Sequence, residues 1–301
     1  MKILLLGKDG QVGRQLEYSL ASIGQVQAVG RESLDLAHLD RIRPFIEVSR
    51  PDIIVNAAAY TNVEQAEGEA ELVFRVNCDA VGILATVASE IGSTFVHYST
   101  DYVFDGELER PYREDDPTGP LNVYGRSKLA GEERILSSGA SAIIFRASWI
   151  YGRHGKNFPK AILTQAQKKK KLTVVTDSIG APTEASLIAS VTVKALMLKR
   201  MGVIPKGVNI YHVAPGGATS WFDFARFIIR CAREHGMDLA LTDSDVIPIV
   251  QEDLKSKAKR PRNSRLETAK LRNELNIDLP EWEVDVVRLV KSMGSGELND
   301  L

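Results

Sequence analysis

Apolar residues fall along this chain in two alternating rhythms. Short, nearly unbroken runs rich in Val, Ile and Leu occur at KILLLG (2–7), QVQAVG (25–30), DIIVNAA (52–58), TFVHYST (94–100), AIIFRAS (142–148) and LTVVTD (172–177). Runs of that length and composition predict strands buried on both faces. Between them, GRQLEYSLASI, LDRIRPFIEVSR and EAELVFRVNCDAVGILATVASEIG carry apolar residues at helical spacing. Strand and helix in this alternation predict right-handed βαβ units, hence an α/β fold with a doubly wound parallel Rossmann sheet.

After about residue 150 the alternation loosens. A basic run, KKKK (168–171), a loop signal at PGG (215–217), and the helical patterns SWFDFARFIIRCAREHG and EWEVDVVRLVKSM follow. We therefore expect a dinucleotide-binding unit over 1–150, with 172–213 returning to its sheet. A smaller, more helical C-terminal unit, mainly substrate-binding, should occupy 151–301. There are no internal repeats, and the tail GSGELNDL is expected to fray.

Composition narrows the function classes. The 301 residues are 44% hydrophobic and 26% charged, with a formal net charge of -1, so no overall attraction to nucleic acid or an anionic membrane is expected. No run of about 18 apolar residues suggests a membrane span, and the apolar stretch in MKILLLG is too short for a signal peptide. The two cysteines, Cys78 and Cys231, lie in apolar helical patterns without zinc-ligand spacing, which points to buried thiols in the cytoplasm.

Candidate chemistry sits at the ends of the predicted strands. The first strand runs into GKDGQVGRQL, which places Gly7, Gly10 and Gly13 between a strand and a helix. Glycines there let the backbone approach a pyrophosphate resting on the helix N-terminus. After the second strand, where an acidic residue would bind a ribose 2′-hydroxyl, the chain has Gly30 and Arg31, which favours a 2′-phosphate and therefore NADPH, with NADH as second choice. Thr100 ends the fourth strand, and PLNVYGRSKLAGEE then starts a helix with Tyr124 and Lys128 four residues apart, on one face. A hydroxyl, a phenol and an ammonium can together serve carbonyl reduction. Thr100 polarises the carbonyl, Tyr124 donates the proton, and the Lys128 charge lowers the phenol's pKa.

GxxGxxG, the strand-end Thr and YxxxK together resemble the extended short-chain dehydrogenase/reductase family. RPDIIVNAAAYTNVEQAE, VHYSTDYVFDG, PLNVYGRSKLAGE, FRASWIYG, GAPT and RPRNSRL resemble, more narrowly, its dTDP-4-dehydrorhamnose reductases, over nearly the whole chain. The resemblance implies reduction of the 4-keto group of a dTDP-linked 6-deoxy sugar. It implies cofactor contacts at Gly10, Gln11, Val12, Asp35, Leu36, Ala59, Tyr60, Thr61 and Tyr98, and substrate contacts at Thr100, Asp101, Tyr124 and Trp149. The basic segment KSKAKRPRNSRL adds Arg260, Asn263 and Ser264 as candidates for a nucleotide diphosphate.

Some members of the family hold Mg²⁺ at a subunit contact with acidic side chains. At the matching places this chain has Gln15 and Ser186, with Glu17 and Glu184 near but out of position. We therefore expect no metal site, and a monomer or weak homodimer. Two alternatives remain: a nucleotide-sugar epimerase or dehydratase, and a non-catalytic NADP-binding regulatory homologue. Related dehydratases carry an acid where this chain has Tyr102, and a regulatory homologue need not keep Thr100, Tyr124 and Lys128. If Arg31 reads the 2′-phosphate, Arg31→Ala will weaken NADPH binding and leave NADH binding nearly unchanged in a fluorescence titration. Equal wild-type affinity for the two cofactors would rule that role out.

Overall fold

Six parallel strands make the central sheet: β1 (Lys2–Leu6), β2 (Gln25–Val29), β3 (Ile53–Asn56), β4 (Thr94–Thr100), β5 (Ser141–Ala147) and β6 (Val208–Val213), in the order β2-β1-β3-β4-β5-β6. The structure, a computed structural model, describes residues 1–294, so residues 295–301 of the tail expected to fray lie outside the described residues. Alternate side chains of each strand feed two separate cores, which is why the strand runs are apolar throughout. On one face Ile3, Leu5, Val55, Val96 and Phe145 pack with the helices α1 (Gln11–Leu20) and α6 (Ala185–Arg200). On the other, Leu4, Leu6, Ile54, Phe95 and Ile144 meet α2 (Leu39–Ser49), α3 (Ala80–Ile91) and α4 (Val123–Ser137).

The pattern misplaced one strand. Leu172–Val175 does not join the central sheet; it pairs with Val246–Ile249 in a separate two-stranded sheet. Thr173 is exposed, while Leu172, Val174 and Val175 are buried. The return to the central sheet is made instead by α6 and β6. A third core gathers Leu172 and Val174 with α5 (Phe158–Ala166), α7 (Trp221–Glu234) and α8 (Trp282–Gly294), through Phe224, Ile228 and Trp282.

The helical stretch Ala70–Ile91 is long and apolar enough to cross a bilayer by length and composition alone, but half of it is buried inside the protein. Its middle, Arg75–Asp79, is π-helical. A π-bulge inserts one residue per turn and so re-aims the side chains beside it, a device common at functional sites. Here it turns Asn77 inward, where its side chain accepts from the Tyr60 N–H (2.8 Å) and donates to the Tyr60 carbonyl (3.0 Å) and Ser127 Oγ (3.0 Å).

Strand order reverses between β1 and β3, and the crevice of an open α/β sheet forms at such a switch point, beyond the carboxyl ends of the strands. Gly7 ends β1 there with φ of 82°, and a Cβ on it would stand 2.6 Å from the Ala58 nitrogen after β3. At Gly13 a Cβ would stand 2.0 Å from the Gly7 carbonyl oxygen, whereas at Gly10 the nearest atom is 3.4 Å away. Gly13→Ala must move backbone and should cost at least about 2 kcal/mol in urea denaturation, while Gly10→Ala should cost well under half of that. Equal losses would contradict this packing.

Candidate active site

Helix α4, which carries Tyr124 and Lys128, is held at its start by two acceptors. Asn122 is the N-cap, its Oδ1 accepting from the Gly125 N–H at 2.8 Å, and Glu67 accepts from the Val123 N–H at 2.7 Å. A carboxylate at this end also complements the helix dipole. Asn122 further donates to the Lys259 carbonyl at 2.7 Å, tying the helix to the basic segment. Tyr124 is thereby fixed in the first turn, with its ring edge-on to Tyr102 at 5.7 Å between centroids.

Thr100 and Tyr124 are neighbours at the end of β4. Thr100 is buried at the end of β4 beside the Tyr124 phenol, and its hydroxyl donates to Asp101 Oδ1 at 3.1 Å and accepts from the Tyr102 N–H. Burial pushes the Tyr124 phenol up to about 12, against the lowering effect of the Thr100 hydrogen bond, and the neighbouring Asp101 raises it further. A neutral phenol is the form that can give a proton.

Lys128 corrects one expectation. Burial, not the Lys128 ammonium, sets the Tyr124 pKa in this geometry. Lys128 is 1% exposed, donates to the Tyr98 carbonyl at 2.6 Å and lies 3.0 Å from His97 Nε2. Burial, partly opposed by Glu132, pulls its pKa down to about 8. Glu132 is itself paired with the buried Arg146 at 2.6 Å. Behind Lys128, His97 Nδ1 meets Asn56 Nδ2 at 3.2 Å, and Asn56 Oδ1 accepts from the Ala58 N–H at 3.1 Å.

The glycine turn fits a dinucleotide. No side chain caps the start of α1, so the N–H groups of its first turn, at Gln11, Val12 and Gly13, are open to an anion. Gln11 is anchored by Asn157, which donates to its Oε1 at 2.9 Å. Arg31 is exposed after β2, close in sequence to the Lys8–Glu32 ion pair at 3.2 Å, and the carboxylates of Asp9 and Glu32 both crowd Gly30. Asp35 accepts from the Ala37 N–H and shapes this rim. Leu36, in contrast, is 5% exposed and belongs to the core with Ile42 and Ile46. Ala59 and Tyr60 are half-buried and Thr61 exposed on the loop after β3. The Tyr98 ring points to the opposite face of the sheet, bonded to Thr192 at 2.8 Å, so only its carbonyl reaches Lys128.

The substrate candidates divide. Asp101 is 3% exposed, shares a hydrogen bond with Ser264, and its Oδ2 has no partner. Trp149 leaves β5 with φ of 48°, a left-handed conformation unusual for so bulky a residue. Its ring stacks on Trp221 at 3.6 Å and covers Gly180, where a Cβ would be 2.6 Å from the indole. Arg260 is exposed beside Tyr102 and Glu64. Asn263 is not directed at Thr100 or Tyr124: its amide donates to the Leu108 and Arg110 carbonyls, and its oxygen accepts from Arg265.

Pattern reading passed over Asn56, Asn77, His97, Asn122 and Trp221. The signal for two of them was present, since Asn56 and His97 are polar residues inside strands that are otherwise apolar. At the Mg²⁺ positions Ser186 stands in the first turn of α6, and Glu184 caps that helix by accepting from the Ser186 N–H. Among the described residues no group of three or more His, Cys, Asp or Glu is placed to hold a metal.

Comparison with known proteins bears on this geometry. The model of the RmlD substrate binding domain family matches residues 1–295. The dTDP-4-dehydrorhamnose reductase of Salmonella typhimurium is 41% identical over 297 residues, covering 97% of this chain and 98% of that protein. A crystal structure of the Bacillus anthracis dTDP-4-dehydrorhamnose reductase in complex with NADP superposes with a TM-score of 0.86 at 31% identity, over 96% of this chain and 98% of that one. The Clostridium acetobutylicum counterpart gives 0.89 at 30%, over 97% and 99%.

Asp101 supplies a test of the site's electrostatics. Burial, only partly offset by Ser264 and Thr100, pushes its carboxyl up to about 7. An unfolded aspartate titrates near 3.9, so the native state is penalised above about pH 7 and the penalty fades as pH falls toward 4. Asp101→Asn should therefore raise Tm at pH 8, and the gain should shrink at pH 5. A gain that is flat between those pH values would contradict the assignment.

Proposed function

This chain belongs to the RmlD substrate binding domain family, and on that premise we propose that it reduces dTDP-4-dehydrorhamnose to dTDP-L-rhamnose with NADPH, using Thr100, Tyr124 and Lys128. The observation that carries this reading is the meeting of the Thr100 hydroxyl and the Tyr124 phenol at the carboxyl edge of β4, on a sheet whose glycine turn can admit a dinucleotide. When bound, the nicotinamide supplies the hydride for the sugar's carbonyl carbon.

The protein's own groups handle the oxygen. Thr100 hydrogen-bonds the carbonyl and orients it. The Tyr124 O–H bond breaks as the new hydroxyl O–H forms, leaving a phenolate. Lys128, as an ammonium, returns a proton to that phenolate and becomes an amine; the proton consumed overall comes from water. Stabilising charge only as it develops lowers the barrier without tightening ground-state binding. Gly7, Gly10, Gln11 and Val12 hold the pyrophosphate, and Ala59, Tyr60 and Thr61 line its path. Arg31 and Asp35 lie at the adenosine end. On the sugar side, the unpartnered Asp101 Oδ2 suits a sugar hydroxyl and the Trp149 ring forms a wall, while Arg260 faces the diphosphate.

Residues 1–150 with α6 and β6 form the dinucleotide-binding unit in this reading, and most of 151–301 the substrate unit. The chain works in the cytoplasm as a monomer or weak homodimer, which its two buried free thiols and its neutral Gln15 and Ser186 suit. A dehydratase reading is disfavoured by Tyr102, whose ring packs edge-on to Tyr124 where an acid would be required.

The test follows NADPH absorbance with the dTDP-4-keto sugar. Stoichiometric NADPH consumption is expected. Tyr124→Phe should keep cofactor affinity while kcat falls about 10²- to 10⁴-fold. Unchanged turnover in the variant, or a recycled cofactor, would overturn the reading.

A further inference from the structure

A histidine with no route to solvent lies directly behind the catalytic lysine. His97 is 0% exposed and Lys128 1%, and the Asn56 side chain closes the row at 1%. Asn56 and His97 are register partners on β3 and β4. Nothing in the reduction as derived above uses either of them.

The hydrogen-bond roles along this row are fixed from one end. The Ala58 N–H donates to Asn56 Oδ1, so the Asn56 NH₂ must be the group facing His97. That NH₂ donates to His97 Nδ1, which therefore carries a lone pair. Burial and the neighbouring Lys128 hold the imidazole neutral. Its single proton is then on Nε2, aimed at Lys128 Nζ from 3.0 Å. An amine at Nζ can accept that N–H and still donate to the Tyr98 carbonyl. An ammonium has no lone pair and meets it proton to proton, unless the imidazole changes tautomer and the Asn56 amide turns away from Ala58.

We propose that His97, its tautomer set by Asn56, is a positioning residue for the reduction that aims the Lys128 amino group and favours its release of a proton to the Tyr124 phenolate. The inference rests on the reductase reading. In the step it assists, a Lys128 N–H bond breaks and the Tyr124 O–H bond re-forms. Lys128 becomes the amine that the His97 Nε2–H can meet. The charged group acting on Lys128 is Glu132, held by Arg146 of β5; Tyr124 stands one turn before Lys128 on its own helix, and Asp101, at the end of β4, acts on Tyr124.

The test is the pH dependence of kcat with saturating NADPH and sugar. In Asn56→Asp, nearly isosteric, one carboxylate oxygen still accepts from Ala58 while the other accepts from Nδ1–H. Nε2 then becomes an acceptor and the ammonium is favoured. The alkaline limb of the profile should move upward by about one pH unit. His97→Leu removes the opposing N–H, so the limb should also move upward, with kcat reduced about tenfold or more. His97→Gln, which keeps an amide at the Lys128 contact, should recover part of that kcat. Far-ultraviolet circular dichroism and NADPH affinity report whether each variant folds, and if His97→Leu does not, Asn56→Asp decides alone. A limb that stays in place or moves down in the folded variants would overturn the proposal. Tyr124→Phe, run in parallel, separates the two readings: full turnover there sinks the reductase reading, whereas a dead Tyr124→Phe with an unmoved limb in Asn56→Asp sinks only this one.

Discussion

Placing a lysine amine in the dry layer between α4 and the sheet is the constraint around which the site is organised. Its pKa falls to about 8 from 10.5, equivalent to roughly 3 kcal/mol against the charged form. That penalty is tolerable only because the amine is placed where hydrogen-bond partners already stand. The Tyr98 carbonyl is available because the Tyr98 ring is drawn to the opposite face by Thr192. The imidazole is available because β4 carries His97 on the face that α4 covers. Glu132, one turn on from Lys128, is committed to Arg146 and so cannot neutralise the lysine fully.

Other features then serve to hold α4 against β4. Its start is capped by Asn122 and Glu67, and its second turn is fastened by Ser127, which donates to the Tyr124 carbonyl at 2.7 Å and accepts from Asn77. The π-bulge that turns Asn77 inward also fixes the Tyr60 backbone on the loop after β3. One side chain thus locks α4 and the loop proposed to carry the cofactor to each other. Positioning of this kind matters because a displacement of about 1 Å at a reacting group can cost 10²-fold in rate.

Several side chains face elsewhere than the sequence suggests, for a common reason. Leu36 is an implied cofactor contact, yet its side chain lies in the core. Asn263 was a candidate for substrate, yet its amide pins the 108–110 loop. Lys128 was to lower the phenol's pKa, yet it faces the sheet. In each case the side chain takes a direction that its sequence neighbourhood does not specify. Direction depends on which strand or loop packs opposite, and for Lys128 and Asn263 residues 30 to 155 positions away decide that. Leu172–Val175 failed similarly, since its apolar run says that it is covered but not by which sheet.

What the sequence determined by itself was periodic or local. The alternation of strand and helix, the glycine turn after β1, Thr100 at a strand end and the four-residue spacing of Tyr124 and Lys128 all follow from backbone geometry, which acts over a few residues. The tertiary structure alone decided the electrostatics. A buried group's charge is set by what surrounds it in three dimensions. His97 and Asn56 are therefore only odd polar residues in apolar strands when read along the chain, and become a hydrogen-bonded row behind Lys128 once β3, β4 and α4 are packed together.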